Sequence, residues 1–163
     1  MDQHLTRGYY TRALSNLEKM KKILEIALNE YGTKEIPGEL HSSEVLNYFK
    51  ETGFAWVKDD ETAWCAAFAN WVLFKAGYPG TGSLMARSFL NVGEAVHAPQ
   101  QGDIVVLWRV SRTSPYGHVG FYVAEDDTYI YALGGNQSDE VNISKYKKDR
   151  VLSYQRLTNK SRK

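Results

Sequence analysis

Cys65 is the only cysteine in 163 residues, and its setting decides what chemistry it can do. An unpaired cysteine is in most proteins a small buried hydrophobe. Here it follows Asp59-Asp60-Glu61-Thr62, which reads as a helix start: acidic residues suit the first turn, and Thr62 can cap it. Cys65 then falls on the first turn, where unpaired N–H groups and the helix dipole favour the thiolate, the nucleophilic form. A thiol nucleophile needs a base. Among four histidines, His4 lies in an aperiodic N-terminal stretch, and His41 and His97 sit in polar loops. His118 instead opens a strand within Gly117-His118-Val119-Gly120, between glycines that leave room for a ligand or another backbone. A lone strand histidine is usually structural. Beside a helix-start cysteine it gains a second reading, as general base.

A third group follows from hairpin geometry. If the loop is Asp126, Asp127 and Thr128, Glu125 faces Tyr129 and His118 falls opposite Asn136, on one face. Phe121 then pairs with Leu133, and Val123 with Tyr131, on the opposite, core-facing side. A two-residue turn would shift the register and turn Asn136 away, leaving it a turn residue after Gly134-Gly135. In the first register the three residues form a Cys–His–Asn arrangement. His118 would take the thiol proton, Cys65 would attack a carbonyl carbon, and Asn136 would fix the imidazole tautomer. The Cys65 N–H would stabilise the oxyanion by about 3–4 kcal/mol.

These side chains need a scaffold. Leu14, Leu17, Met20, Leu24, Leu28 and Tyr31 recur at steps of three and four, predicting an amphipathic helix over Thr11 to Tyr31. Residues 1–10 lack periodicity and are expected to be disordered. A short helix around Val45 to Phe49 ends near Gly53. Ala63 to Ala76 is apolar almost all round, the pattern of a buried central helix. A further short helix spans Leu84 to Leu90. Strand patterns follow at Asp103 to Val110, Gly117 to Ala124, Thr128 to Leu133 and Arg150 to Leu157. Helices (11–93) therefore precede an antiparallel sheet (102–157) in a single α+β domain over 11–157, with residues 158–163 a polar, flexible tail.

The bulk composition narrows the function. Twenty basic residues balance nineteen acidic ones, for a net charge of +1, which gives no steering toward nucleic acid. One cysteine excludes an intramolecular disulfide and a multi-cysteine zinc site. No apolar run reaches membrane-spanning length, and residues 1–10 do not read as a secretory signal. The expectation is synthesis in the cytoplasm, and release by another route if the protein acts outside.

Thr62-Ala-Trp-Cys65-Ala-Ala-Phe68, Gly102-Asp-Ile-Val105, Gly117-His-Val-Gly120 and Gly134-Gly-Asn136 together resemble the papain-like cell-wall peptidases, closest to the CHAP (cysteine, histidine-dependent amidohydrolase/peptidase) and NlpC groups. Ser83 to Phe89 and Leu133 to Ser138 resemble a subgroup of small bacterial and phage proteins of this type, and the likeness runs from about Leu24 to Leu157. It implies a papain-like fold, with a central catalytic helix on an antiparallel sheet. It also implies hydrolysis of peptidoglycan amides without a cofactor, as an N-acetylmuramoyl-L-alanine amidase or an endopeptidase. Cys65 and His118 map onto the family's dyad. The third position varies in the family, so Asn136 transfers less directly. Some CHAP domains bind calcium through spaced acidic residues; the contiguous runs Asp59 to Glu61 and Glu125 to Asp127 lack that spacing, and no metal is expected.

The resemblance fits a phage lysin freed at lysis or an antibacterial effector injected by a contractile system, the latter with an immunity protein as partner. A monomer is expected. Trp64 and Trp108 are candidates to wall the substrate groove, or else pack in the core. Arg87 is a candidate for a substrate carboxylate, or else forms a surface ion pair. The cluster Lys145, Lys147, Lys148 and Arg150 reads as a solvated face. Two other functions use the same sequence: an acyltransferase or deamidase on another amide, and a non-catalytic wall-binding module.

Overall fold

The computed structural model describes residues 3–38, 40–58 and 63–158, with side chains from residue 15. Helix α1 spans Gln3–Asn29. It starts well before Thr11, where the sequence shows no apolar periodicity. Its buried line is Met20, Ile23 and Ala27, while Leu17, Leu28 and Tyr31 stand about half exposed. The packed stripe is thus rotated from the one the leucines suggest. Helix α2 spans Ser43–Glu51, with the Ser42 hydroxyl accepting from the Val45 N–H at 3.3 Å. Helix α3 spans Cys65–Lys75 and is buried on nearly every side, as its composition predicts. Its N-cap is Trp64, without a side-chain cap bond, in place of the expected Thr62; Thr62 and the acidic run before it lie outside the described residues. A 3-10 helix covers Ala86–Asn91, where a short helix is expected.

Six strands form one antiparallel sheet: β1 Glu94–Val96, β2 Ile104–Trp108, β3 Gly117–Glu125, β4 Tyr129–Gln137, β5 Glu140–Lys147 and β6 Val151–Arg156, in spatial order β1-β6-β2-β3-β4-β5. The two edge strands, β1 and β5, are the ones the sequence pattern does not show. Edges carry charge against unwanted pairing, and in β5 Lys145 and Lys147 flank Tyr146. The helix-then-strand order makes the fold α+β, as expected. Among the described residues no helix is long and apolar enough to cross a membrane.

Strand alternation gives the sheet two different faces. Ile104, Val106, Val119, Phe121 and Leu133 pack with the helices in the main core. Val105, Leu107, Tyr122, Ile130 and Ala132 form a smaller cluster on the other side, covered by Tyr146, Val151 and Tyr154. The β3–β4 hairpin does pair Phe121 with Leu133, but not through the predicted loop. Glu125 pairs with Ile130 rather than Tyr129, and Ala124 replaces Val123 as the partner of Tyr131, across a bulge. A second irregularity interrupts β4 between Gly134 and Gln137: Gly134 faces Asn142, yet Gln137 faces Glu140. The extra residue is Asn136, at φ +56°, a conformation asparagine tolerates better than most residues. Ser138 and Asp139, both at positive φ, then close a tight turn into β5.

Candidate active site

The site lies where α3 begins against β3 and β4, and two glycines allow that approach. A Cβ on Gly135 would lie 2.7 Å from both Phe68 Cβ and Trp64 Cζ3, so a larger residue would push α3 off the sheet. A Cβ on Gly134 would lie 2.8 Å from Gln137 Oε1 and 3.4 Å from His118 Nε2. Both positions need the missing side chain for space.

Cys65 is the first residue of α3 and is only 7% exposed. Burial pushes its thiol pKa up. Opposing that rise, in order, are the backbone N–H of Val119, the Arg109 charge, and the N–H groups of Ala66 and of Cys65 itself. The Val119 contact shows how the sulfur is reached. The β3–β4 ladder runs from Glu125↔Ile130 to Phe121↔Leu133 and does not continue to Val119. With the ladder interrupted, the Val119 N–H turns to the sulfur in place of a β4 carbonyl.

His118 neighbours Val119 in β3 and therefore projects from the other face of the sheet, where it is fully buried. Its Nε2 lies 2.9 Å from Gln137 Oε1. The Gln137 Nε2 atom donates to Ala132 O at 3.2 Å, Asn142 O at 2.7 Å and Asn142 Oδ1 at 3.0 Å. That fixes the oxygen toward the histidine. Because the oxygen can only accept, His118 carries its proton on Nε2 and keeps a lone pair on Nδ1. Nδ1 is buried without a hydrogen-bond partner, the sulfur included. Burial lowers the imidazole pKa to about 4; the Gln137 bond works against this, and the Arg109 and Arg150 charges add to it. In this dry setting both thiol and imidazole are neutral.

The structure thus gives the histidine a different orienting partner from Asn136. Asn136 occupies the bulge, and the extra residue there moves strand parity by one, so Gln137 takes the face that uninterrupted alternation assigns to Asn136. The signal lay in Gly134-Gly135, since paired glycines inside a strand mark a bulge or a close approach.

The three expected substrate contacts are otherwise engaged. Trp64 is fully buried, 5.9 Å from the Tyr48 ring, and its Nε1 donates to Glu35 at 2.5 Å. Trp108 donates to Asp149 O at 3.1 Å, and its ring faces the Arg150 guanidinium at 5.7 Å. Arg87 donates to the carbonyls of Tyr116, Arg112 and Ser111 at 3.3, 3.0 and 3.2 Å, so it braces the loop between β2 and β3 and its fork meets no carboxylate. Arg109, which sequence reasoning did not single out, is exposed in that loop. Its charge reaches Cys65, His118 and Tyr146. Among the described residues no group of three or more His, Cys, Asp or Glu side chains could hold a metal. Asp126 is instead spent on the β3–β4 turn, accepting from the N–H groups of Thr128 and Tyr129 and from the Tyr131 hydroxyl.

Comparison with known proteins adds to this geometry. Residues 57–136, which carry both Cys65 and His118, match the CHAP domain. No curated protein matches the chain. The fold is similar to the crystal structure of a Staphylococcus aureus protein described as similar to lipoprotein, NLP/P60 family. The identity is 17% and the TM-score 0.51, over 87% of this chain and 42% of the other. The chain thus spans less than half of that relative's length. Residues 57–136 are thus similar to the CHAP domain, and the chain has an α+β fold similar to that of the NLP/P60-family structure.

Proposed function

We propose that the chain is a cysteine peptidase or amidase that hydrolyses amide bonds of peptidoglycan through an acyl-enzyme. Cys65 is the nucleophile, His118 the base, and Gln137 the residue that orients it. The observation carrying this reading is the imidazole. Its Nε2–H is held by Gln137, while its Nδ1 lone pair is left without a partner, one residue along β3 from Val119, whose backbone N–H meets the Cys65 sulfur. A merely structural buried histidine would have both nitrogens satisfied.

The resting pair is neutral, so the proton moves as substrate arrives. Nδ1 accepts the thiol proton while sulfur bonds to the carbonyl carbon. The Cys65 N–H, at the open end of α3, donates to the oxyanion. As the C–N bond breaks, the imidazolium returns its proton to the leaving amine. Nδ1 then deprotonates a water molecule, which attacks the thioester and frees the thiol. The Gln137 carboxamide holds Nε2–H throughout and exchanges no proton.

Purified peptidoglycan is the test. Incubation should release new amino groups, and mass spectrometry of the fragments separates the two bond types: a freed L-alanine amine marks an amidase, an amine within the peptide an endopeptidase. Cys65→Ser and His118→Ala should each lower the rate by roughly 10³-fold or more with the fold retained. No amine release by the intact protein, with acyl transfer to an added amine, would overturn hydrolysis in favour of a transferase.

A further inference from the structure

We propose that Tyr146 is a positioning residue for His118: its hydroxyl pins the Gln137 oxygen and its ring backs the imidazole. The proposal rests on Cys65 and His118 being the reacting pair.

Tyr146 comes from edge strand β5, between two lysines. Its hydroxyl donates to Gln137 Oε1 at 2.8 Å, the same atom that accepts from His118 Nε2 at 2.9 Å. A carboxamide oxygen offers two lone pairs, and the two donors use both. Asn142 holds the other side of the amide and is fixed in turn by Gln137 O at 3.0 Å and Glu140 at 2.9 Å. A flipped amide would set its NH₂ group against two donors. The phenol therefore helps decide which nitrogen of His118 carries the proton, and so which one can act as base. Burial raises the Tyr146 pKa to about 12, keeping the hydroxyl a donor over any ordinary working range.

The ring contributes separately. Its centroid lies 5.3 Å from the imidazole centroid, tilted by 34°, within reach of a cation–π attraction once His118 is charged. Arg150 lies 5.5 Å from the same ring and donates twice to Trp108 O, at 3.2 and 3.0 Å, which fixes the ring in place. The groups that act on the imidazole are thus Gln137 from β4, Tyr146 from β5, Arg109 after β2 and Arg150 before β6. The two arginines oppose protonation of His118, and the Tyr146 ring is the group placed to offset them.

Tyr146→Phe removes the hydroxyl and keeps the ring; Tyr146→Leu removes both. With Cys65 the sole thiol, the rate of its alkylation by iodoacetamide against pH reports on the pair without any substrate. Tyr146→Phe should slow alkylation near neutral pH, and kcat on peptidoglycan, by about three- to tenfold, with KM unchanged. Tyr146→Leu should slow both further and also shift the pH midpoint of alkylation. Thermal melting identifies the temperature at which each variant is folded. If Tyr146→Leu does not fold, Tyr146→Phe decides alone. A folded Tyr146→Phe protein with wild-type alkylation and kcat, or one altered only in KM, overturns the proposal. A wild-type protein inert toward peptidoglycan whose alkylation still responds to Tyr146→Phe overturns the peptidase reading and leaves this one standing.

Discussion

The two faces of the sheet are built from different materials. On the helix side, Ala66, Ala67, Phe68, Val72 and Leu73 of α3 meet Val106, Val119 and Phe121 with no exposure at all. On the far side, His118, Gln137, Asn142 and Tyr146 form a hydrogen-bonded group beside a smaller apolar cluster. The first face is dry packing, which stabilises without direction. The second is polar and fully directional, and a partly satisfied network is costly when buried. Cys65 belongs to the first face and His118 to the second.

The largest test of that contrast is on the polar side. Gln137→Ala should reduce kcat by about 10²-fold through a misplaced imidazole and also lower the melting temperature, because it leaves buried donors and acceptors unpaired. A melting loss with kcat preserved would mean that the polar face also serves mainly to pack. Acid should expose the same face. With the His118 pKa near 4 when folded against about 6.5 when unfolded, the unfolded chain binds the extra proton first. Stability is therefore full above about pH 6.5 and falls as pH drops toward 4, by about 3 kcal/mol from this group. Denaturant midpoints at the two pH values should show this loss in wild type and much less of it in His118→Gln. Equal losses would place the acid sensitivity elsewhere.

On the packed side, Gly135→Ala would set a Cβ against Phe68 and Trp64. It should cost about 1–3 kcal/mol of stability and lower activity as α3 moves. Retained stability would show that the α3–β4 contact yields easily. The smallest effect is expected at Asn136→Gly: the backbone there is left-handed, glycine accepts it readily, and activity should stay near wild type. A loss comparable to that of Gln137→Ala would return Asn136 to the chemistry.

Legibility in the sequence followed the same division. The α+β order, the buried α3 and the strand at His118 were readable because apolar periodicity governs them. Cys65 and His118 stood out because few side chains can supply a nucleophile and a base. Gln137 did not, because one inserted residue breaks the alternation by which faces are assigned. β5 was passed over because Lys145 and Lys147 make an edge strand look like a solvated loop. Trp64 and Trp108 show a further limit: an aromatic ring beside a reactive residue can pack beneath the site or bind a neighbouring loop as readily as line a groove.

The irregularity in β4 works as a change of step. Before it, Leu133 takes part in the hydrophobic core; after it, Gln137 serves the imidazole, and the added position supplies the offset between those duties. Without the irregularity, plain alternation from Leu133 would turn Gln137 to the helix side, away from the imidazole. In this architecture the direction of that amide depends on the backbone of a residue whose own side chain need do nothing.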